Sequence, residues 1–141
     1  HRMLRRLHED MLHDNAPRHT AIAAAEAFAR KRGVGQDFAH VFIAAARSLG
    51  IPARYVGGYF RREGGSEQES SHAWAEAFVP EFGWVAFDAA NGLYAAEAHV
   101  RVAVGLDSLS AAPLRGTRYG GAGEVISVKV RVDQAAQQIQ N

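Results

Sequence analysis

The chain has 141 residues, nearly half of them apolar, enough for one domain with a real core. Its formal charge is +1 at pH 7 with acids and bases almost balanced, so no face is forced to be strongly basic and nucleic acid is not an expected partner. No apolar run approaches the roughly 20 residues that span a bilayer, and with no cysteine, disulfides, thiolate metal sites and thiol chemistry are excluded.

The opening HRMLRRLHEDML is already inside a helical pattern, as expected of a piece of a longer protein or of a processed start. Met3, Leu4, Leu7, Met11 and Leu12 recur at helical spacing and predict a helix over 2–13. After the turn-rich HDNAPRH, Thr20 is a candidate N-cap for a second helix, AIAAAEAFARKR, which Gly33 should stop. A third helix is expected from Gly35 or Gln36 to Leu49, with Phe38, Phe42, Ile43 and Ala46 as its apolar stripe and Gly50 and Pro52 ending it.

Beyond Pro52 the period changes. ARYVGGYF reads as a strand, bulged at its two glycines. REGGSEQESS is a polar loop, HAWAEAFV an alternating strand, PEFG a turn and WVAFD a second strand, with Trp84 and Phe87 expected in the core. Residues 89–97 read as a loop, with or without a short helix, and HVRVAVG and EVISVKVRV as two further strands. Helices first and strands after them predict a single α+β domain over 1–141 with an antiparallel sheet.

Three groups of residues could carry chemistry. Gly33-Val34-Gly35 precedes a helix, but it lacks the further glycines of a dinucleotide fingerprint and the lysine of a phosphate loop. The seven histidines show no HExxH, and His8 and His13, five residues apart, would point about 140° apart on a helix. His1, His8, His13 and His19 therefore read as surface residues; neither a metal nor a cofactor is expected. His72 and Asp88 are the more specific pair. On one face of adjacent strands an aspartate would orient the imidazole and fix its tautomer. Register decides: a two-residue turn puts them on opposite faces, whereas a three-residue turn or a bulge makes them diagonal neighbours. The competing reading of Asp88, in DAANG, is turn chemistry.

Taken in order, RGVGQDFAHVFIAAARSLGIPARYVGGYF, SHAWAEAFVPEFGWVAFDAANG and HVRVAVG resemble the transglutaminase-like superfamily. The resemblance covers residues 20–105 and extends in outline to the whole chain. It implies a papain-like α+β fold, N-terminal helices with a central helix packed on an antiparallel sheet. It also implies a Cys-His-Asp mechanism that takes an acyl group from an amide, either a glutamine side chain or a peptide bond, and passes it to an amine or water. In the family the first stretch reads GVCQDFAH. Gly35 thus stands where the nucleophilic cysteine would be, His72 matches the catalytic histidine and Asp88 the catalytic aspartate. The chain as it stands is expected to lack thiol-dependent activity, whether it is an inactive acyl-transfer domain or a binding module. Natural loss of the thiol and its artificial replacement both fit. Gln36, Trp74 and Tyr59 are candidate substrate-binding residues, with helix capping or core packing as their plainer roles, and Tyr55 is a possible flank of the cleft. The expected partner is a polypeptide or other amide substrate.

Overall fold

The computed structural model describes residues 1–14, 22–61, 67–68, 71–112 and 130–131. Helix α1 (Arg2–Asp10) buries Leu4 and Leu7, and at Met11 the backbone turns extended, with φ −119° and ψ 137°. The helix is shorter than its apolar spacing predicts. Leu12–His13 instead form a short strand β1, and the amides of Leu12 and Asp14 donate to the carbonyls of Lys31 and Gly33 at 2.9 and 2.8 Å. These long-range bonds replace a last helical turn.

Helix α2 (Ala24–Arg30) starts later than predicted, and Thr20 lies outside the described residues. Its stop is also corrected. Lys31 takes the left-handed conformation at the C-cap, with φ 53°, while Gly33 belongs to strand β2 (Arg32–Gly33), which pairs in parallel with β1. Gly33 is small for a different reason: a β-carbon there would lie 2.6 Å from Asp37 Cβ.

Helix α3 (Gly35–Ser48) buries its predicted stripe of Phe38, Phe42, Ile43 and Ala46. Leu49 caps it and Gly50, at φ 74°, turns the chain away. Strand β3 (Ala53–Phe60) follows. The short strands β4 (Glu67–Gln68) and β9 (Val130–Arg131) pair with each other; most of the predicted REGGSEQESS loop and the rest of EVISVKVRV lie outside the described residues. Strands β5 (His72–Val79), β6 (Gly83–Asp88), β7 (Leu93–Tyr94) and β8 (His99–Gly105) complete an antiparallel sheet of order β7-β6-β5-β3-β8. The short β7 lies in the predicted 89–97 loop.

Alternation along the strands places α3. Ala73, Ala75 and Ala77 of the middle strand, Ala53 and Tyr55 of β3 and Phe87 of β6 all join the core with Phe38 and Phe42. Three alanines in alternate positions let the helix come close, and Phe42 stacks on Phe87 at 4.9 Å between ring centroids. The other face carries His72, Trp74, Glu76 and Phe78. Trp84, expected in the core, is paired with Phe78 on this outer face and remains 43% exposed, with the Arg54 guanidinium 4.0 Å from its ring. Glu76, buried between the same Arg54 at 2.6 Å and Arg101 at 2.9 Å, ties three strands together on that face.

The predicted bulge is present, between Gly57 and Gly58 against β8. Gly58 has no room for a side chain: a β-carbon would lie 2.0 Å from the Val100 carbonyl oxygen and 2.8 Å from the Trp74 ring. That close seam brings the start of β8 beside the start of β5.

Candidate active site

The decisive register is that of the β5–β6 hairpin. Val79 pairs with Gly83, which leaves a three-residue turn of Pro80, Glu81 and Phe82. Ala75 pairs with Phe87, so Asp88 stands opposite Trp74 and diagonal to His72, on the same face. His72 Nε2 lies 2.7 Å from Asp88 Oδ2. A carboxylate only accepts, so Nε2 carries the proton and donates it. The other ring nitrogen, Nδ1, is then a free lone pair, and it is directed at the start of α3: a β-carbon on Gly35 would sit 3.1 Å from it.

Both readings of Asp88 hold together. Its Oδ1 accepts the Asn91 backbone N–H at 3.2 Å, closing the turn that DAANG suggested. Its Oδ2 serves the imidazole. Asn91 Nδ2 and His99 Nε2 also donate to Oδ2, at 2.8 and 2.9 Å. Asp88 is fully buried. Burial alone would push its carboxyl up. The hydrogen bonds from His72 and His99, the charge His72 can carry and the Asn91 amide outweigh burial and hold it well below the usual carboxylate range.

The start of α3 is built from RGVGQD. The Val34 N–H donates to Asp37 Oδ2 at 2.8 Å, so the buried Asp37 caps the helix. The space left by Gly33 is where that carboxylate folds back, with Oδ2 2.7 Å from the position of an added β-carbon. The first amides of a helix have no acceptor within it, and Gly35 and Gln36 are the first two residues of α3. Gln36 lines a cleft of about 220 Å³ with Tyr55, Tyr59, Ser71 and His72. Tyr55 is mostly enclosed, and burial pushes its phenol up to about 12. Trp74 is only 2% exposed and lies beneath the imidazoles, its ring 5.1 Å from His99 and 6.1 Å from His72 between centroids. Its packing there is the plainer of the two roles expected of it. His40 is half-buried and accepts the Ser108 N–H at 3.1 Å, which ties the segment after β8 to α3.

The sequence assigns no role to His99 or Asn91. Asn91 lies within DAANG, the turn that Asp88 opens. The signal for His99 was a lone histidine at the start of a predicted strand, with nothing local to say that β8 pairs with β3.

Three of these side chains could in principle ligate a metal: one atom each of His72, Asp88 and His99 lies within 4.8 Å of the others. The hydrogen bonds oppose it. Ala96 N–H donates to His99 Nδ1 at 3.2 Å, so the ring's proton sits on Nε2 and no lone pair faces the group. A cation would have to displace that proton and break the Ala96 bond.

A cleft at a helix start, a histidine aimed at its first residue and an aspartate behind the histidine agree with what comparison with known proteins finds. The model of the transglutaminase-like superfamily matches residues 2–89. The chain belongs to that superfamily. A crystal structure described as a candidate cysteine protease from Cytophaga hutchinsonii matches with a TM-score of 0.68 and 30% identity, over 79% of this chain and 37% of that one. The fold of this transglutaminase-like domain is thus papain-like α+β. A protein of Mycobacterium leprae is 37% identical over 110 residues, 74% of this chain and 39% of that protein. One of Mycobacterium tuberculosis is 30% identical over 138 residues, 90% of this chain and 44% of that protein. The chain therefore spans about two fifths of the length of these relatives. Among the described residues, no helix is long and apolar enough to cross a membrane.

Proposed function

We propose that this domain is the acyl-transfer or amide-hydrolysis type of transglutaminase-like unit, with the histidine–aspartate half of its machinery assembled and the nucleophile missing at Gly35. The observation that carries the reading is the position of His72, with Nε2 2.7 Å from Asp88 and Nδ1 3.1 Å from an added β-carbon on Gly35. A thiol on that carbon would lie beside an imidazole lone pair and at the first turn of α3, whose amides have no acceptor within the helix. Those are the conditions that lower a thiol's pKa and stabilise an oxyanion. In a chain carrying cysteine there, the thiolate would attack an amide carbonyl, His72 would hold the thiol proton and return it to the leaving amine, and Asp88 would hold the ring in place. With glycine, no acyl-enzyme can form, and the cleft is left to bind an amide-bearing polypeptide without turning it over.

Gly35→Cys tests the reading. The contact at 3.1 Å asks the His72 ring to give by a few tenths of an ångström, which a side chain at the cleft can do. The new thiol should alkylate with iodoacetamide at pH 6 on the order of 10-fold or more faster than a free cysteine. His72→Ala in that background should abolish the advantage. A thiol of ordinary reactivity would refute the catalytic geometry. Binding of glutamine-containing peptides by the glycine form, measured by calorimetry and lost with His72→Ala, tests the binding role.

A further inference from the structure

We infer that His99 is a positioning residue of this site: it clamps the Asp88 carboxylate and thereby sets which nitrogen His72 presents to position 35. The inference rests on the reading of His72 and Asp88 given above and extends it to a residue to which the sequence assigns no role.

The geometry leaves His99 one arrangement. Its side chain is 3% exposed. The ring is enclosed by Phe60 at 4.7 Å and by the edge of Trp74 at 5.1 Å, centroid to centroid. Its Nδ1 accepts the Ala96 N–H at 3.2 Å, and a proton on Nδ1 would meet that N–H head on. The single ring proton is therefore on Nε2, 2.9 Å from Asp88 Oδ2. A backbone amide thus fixes one imidazole's tautomer, and that imidazole holds the carboxylate. His72 is held less completely: its side chain is 12% exposed, and Nδ1 faces the cleft with nothing comparable to the Ala96 amide. Its tautomer is set from the Nε2 side, where Asp88 at 2.7 Å is nearer than the Asn91 amide nitrogen at 3.3 Å and accepts the hydrogen bond. Without His99, Asp88 keeps Asn91 Nδ2 on Oδ2 at 2.8 Å and the Asn91 N–H on Oδ1 at 3.2 Å but loses its second imidazole donor, so that apart from His72 itself the carboxylate is oriented by one turn residue. The bond that keeps the His72 proton on Nε2 and its lone pair toward residue 35 is then less firmly aligned.

Histidine side-chain nitrogen-15 NMR on the protein as it stands, at pH 7.5, reads the clamp directly. His99 should show a protonated Nε2 and an unprotonated Nδ1, and His72 the same tautomer. A His99 protonated on Nδ1 would overturn the inference. His99→Gln keeps a side-chain N–H donor and should leave the His72 tautomer as it is; His99→Phe should mix it. In the Gly35→Cys background, His99→Phe should slow alkylation on the order of 10-fold, with His99→Gln recovering most of the rate. If His99→Phe folds and leaves both tautomer and rate unchanged, His99 is packing only. Zinc added to the native chain that shifts the Nε2 signals of both His72 and His99 would also overturn the clamp, since a metal takes the lone pair that the clamp says is protonated. The tautomer measurement needs no thiol. An unreactive Gly35→Cys thiol therefore counts against the proposed function and not against His99.

Discussion

His72 and Asp88 meet across a diagonal of the β5–β6 hairpin, Nε2 to Oδ2 at 2.7 Å, and the carboxylate involved is fully buried. Asp88 is at once the end of a strand, the start of a turn and the anchor of an imidazole. Its replacement should cost both stability and geometry.

Asp88→Asn keeps the shape but puts an amide N–H₂ among three donors or swings its oxygen away from one of them. With a buried hydrogen-bond group left unpaired, the domain should lose about 1–3 kcal/mol, read as a lower urea midpoint at unchanged slope. In the Gly35→Cys background the fast alkylation should disappear together with the fixed His72 tautomer. Unaltered stability would show that Asp88 is less tightly held than its four hydrogen-bond contacts with His72, His99 and Asn91 imply.

Gly33→Ala tests the start of α3. The added carbon would lie 2.6 Å from Asp37 Cβ and 2.7 Å from its Oδ2, so the capping carboxylate must move off the Val34 amide. Overpacking at such a position costs about 1–3 kcal/mol, and thermal unfolding should show it. The double variant with Asp37→Ala should lose less than the sum of the single changes, because both act on one cap.

Acidification should weaken the fold in two stages. Burial lowers the His40 pKa, with Arg47 acting in the same direction against the opposing charge of Asp107. The native state therefore binds fewer protons there than the unfolded chain. This contribution is complete above the ordinary histidine pKa of about 6.5 and is lost as pH falls through the lower native value. Asp88 follows the same sign: its contribution is complete above about 3.9 and is lost at more acid pH. Unfolding free energy against pH for the native chain, minus that for His40→Gln, should isolate the first stage. A flat difference between pH 7 and 5 would exclude it.

Side chains at the cleft should separate binding from stability. Gln36→Ala and Tyr59→Ala should weaken a glutamine-containing peptide by about 0.5–1.5 kcal/mol each, the worth of a hydrogen bond, with little change in Tm. Trp74→Ala removes a buried ring beneath both imidazoles and should cost about 3–5 kcal/mol of stability. Should Trp74→Ala weaken peptide binding while the fold keeps its stability, Trp74 would be a contact residue rather than a packing one.

Much of this layout was readable in the residues, because alternation and helical spacing are local. The strands HAWAEAFV and WVAFD, the stripe of α3 and the bulge at Gly57-Gly58 all stand where the patterns put them. What was not readable depended on distant partners. The end of α1 yields to pairing of Leu12–His13 with Arg32–Gly33. Trp84 lies on a face whose cover alternation cannot specify, and it ended beside Arg54. His99 joins the site because β8 pairs with β3, a choice made by the whole sheet. The hairpin register stayed open because Glu81 takes φ 71° without being a glycine, a turn geometry that no residue type announces.

That turn has a consequence for how the domain can vary. Pro80, Glu81 and Phe82 do not line the cleft, and any of them can be exchanged without removing a reacting group. Their number is another matter. Side chains alternate with every residue, so an odd count between Val79 and Gly83 is what sends Asp88 to the same side as His72. Deleting or inserting one residue at this outlying bend, unless a new bulge absorbed it, would turn the aspartate toward α3 and leave the histidine alone. The site is thus exposed to a kind of damage, a change of parity at its far end, that inspection of the site itself would never reveal.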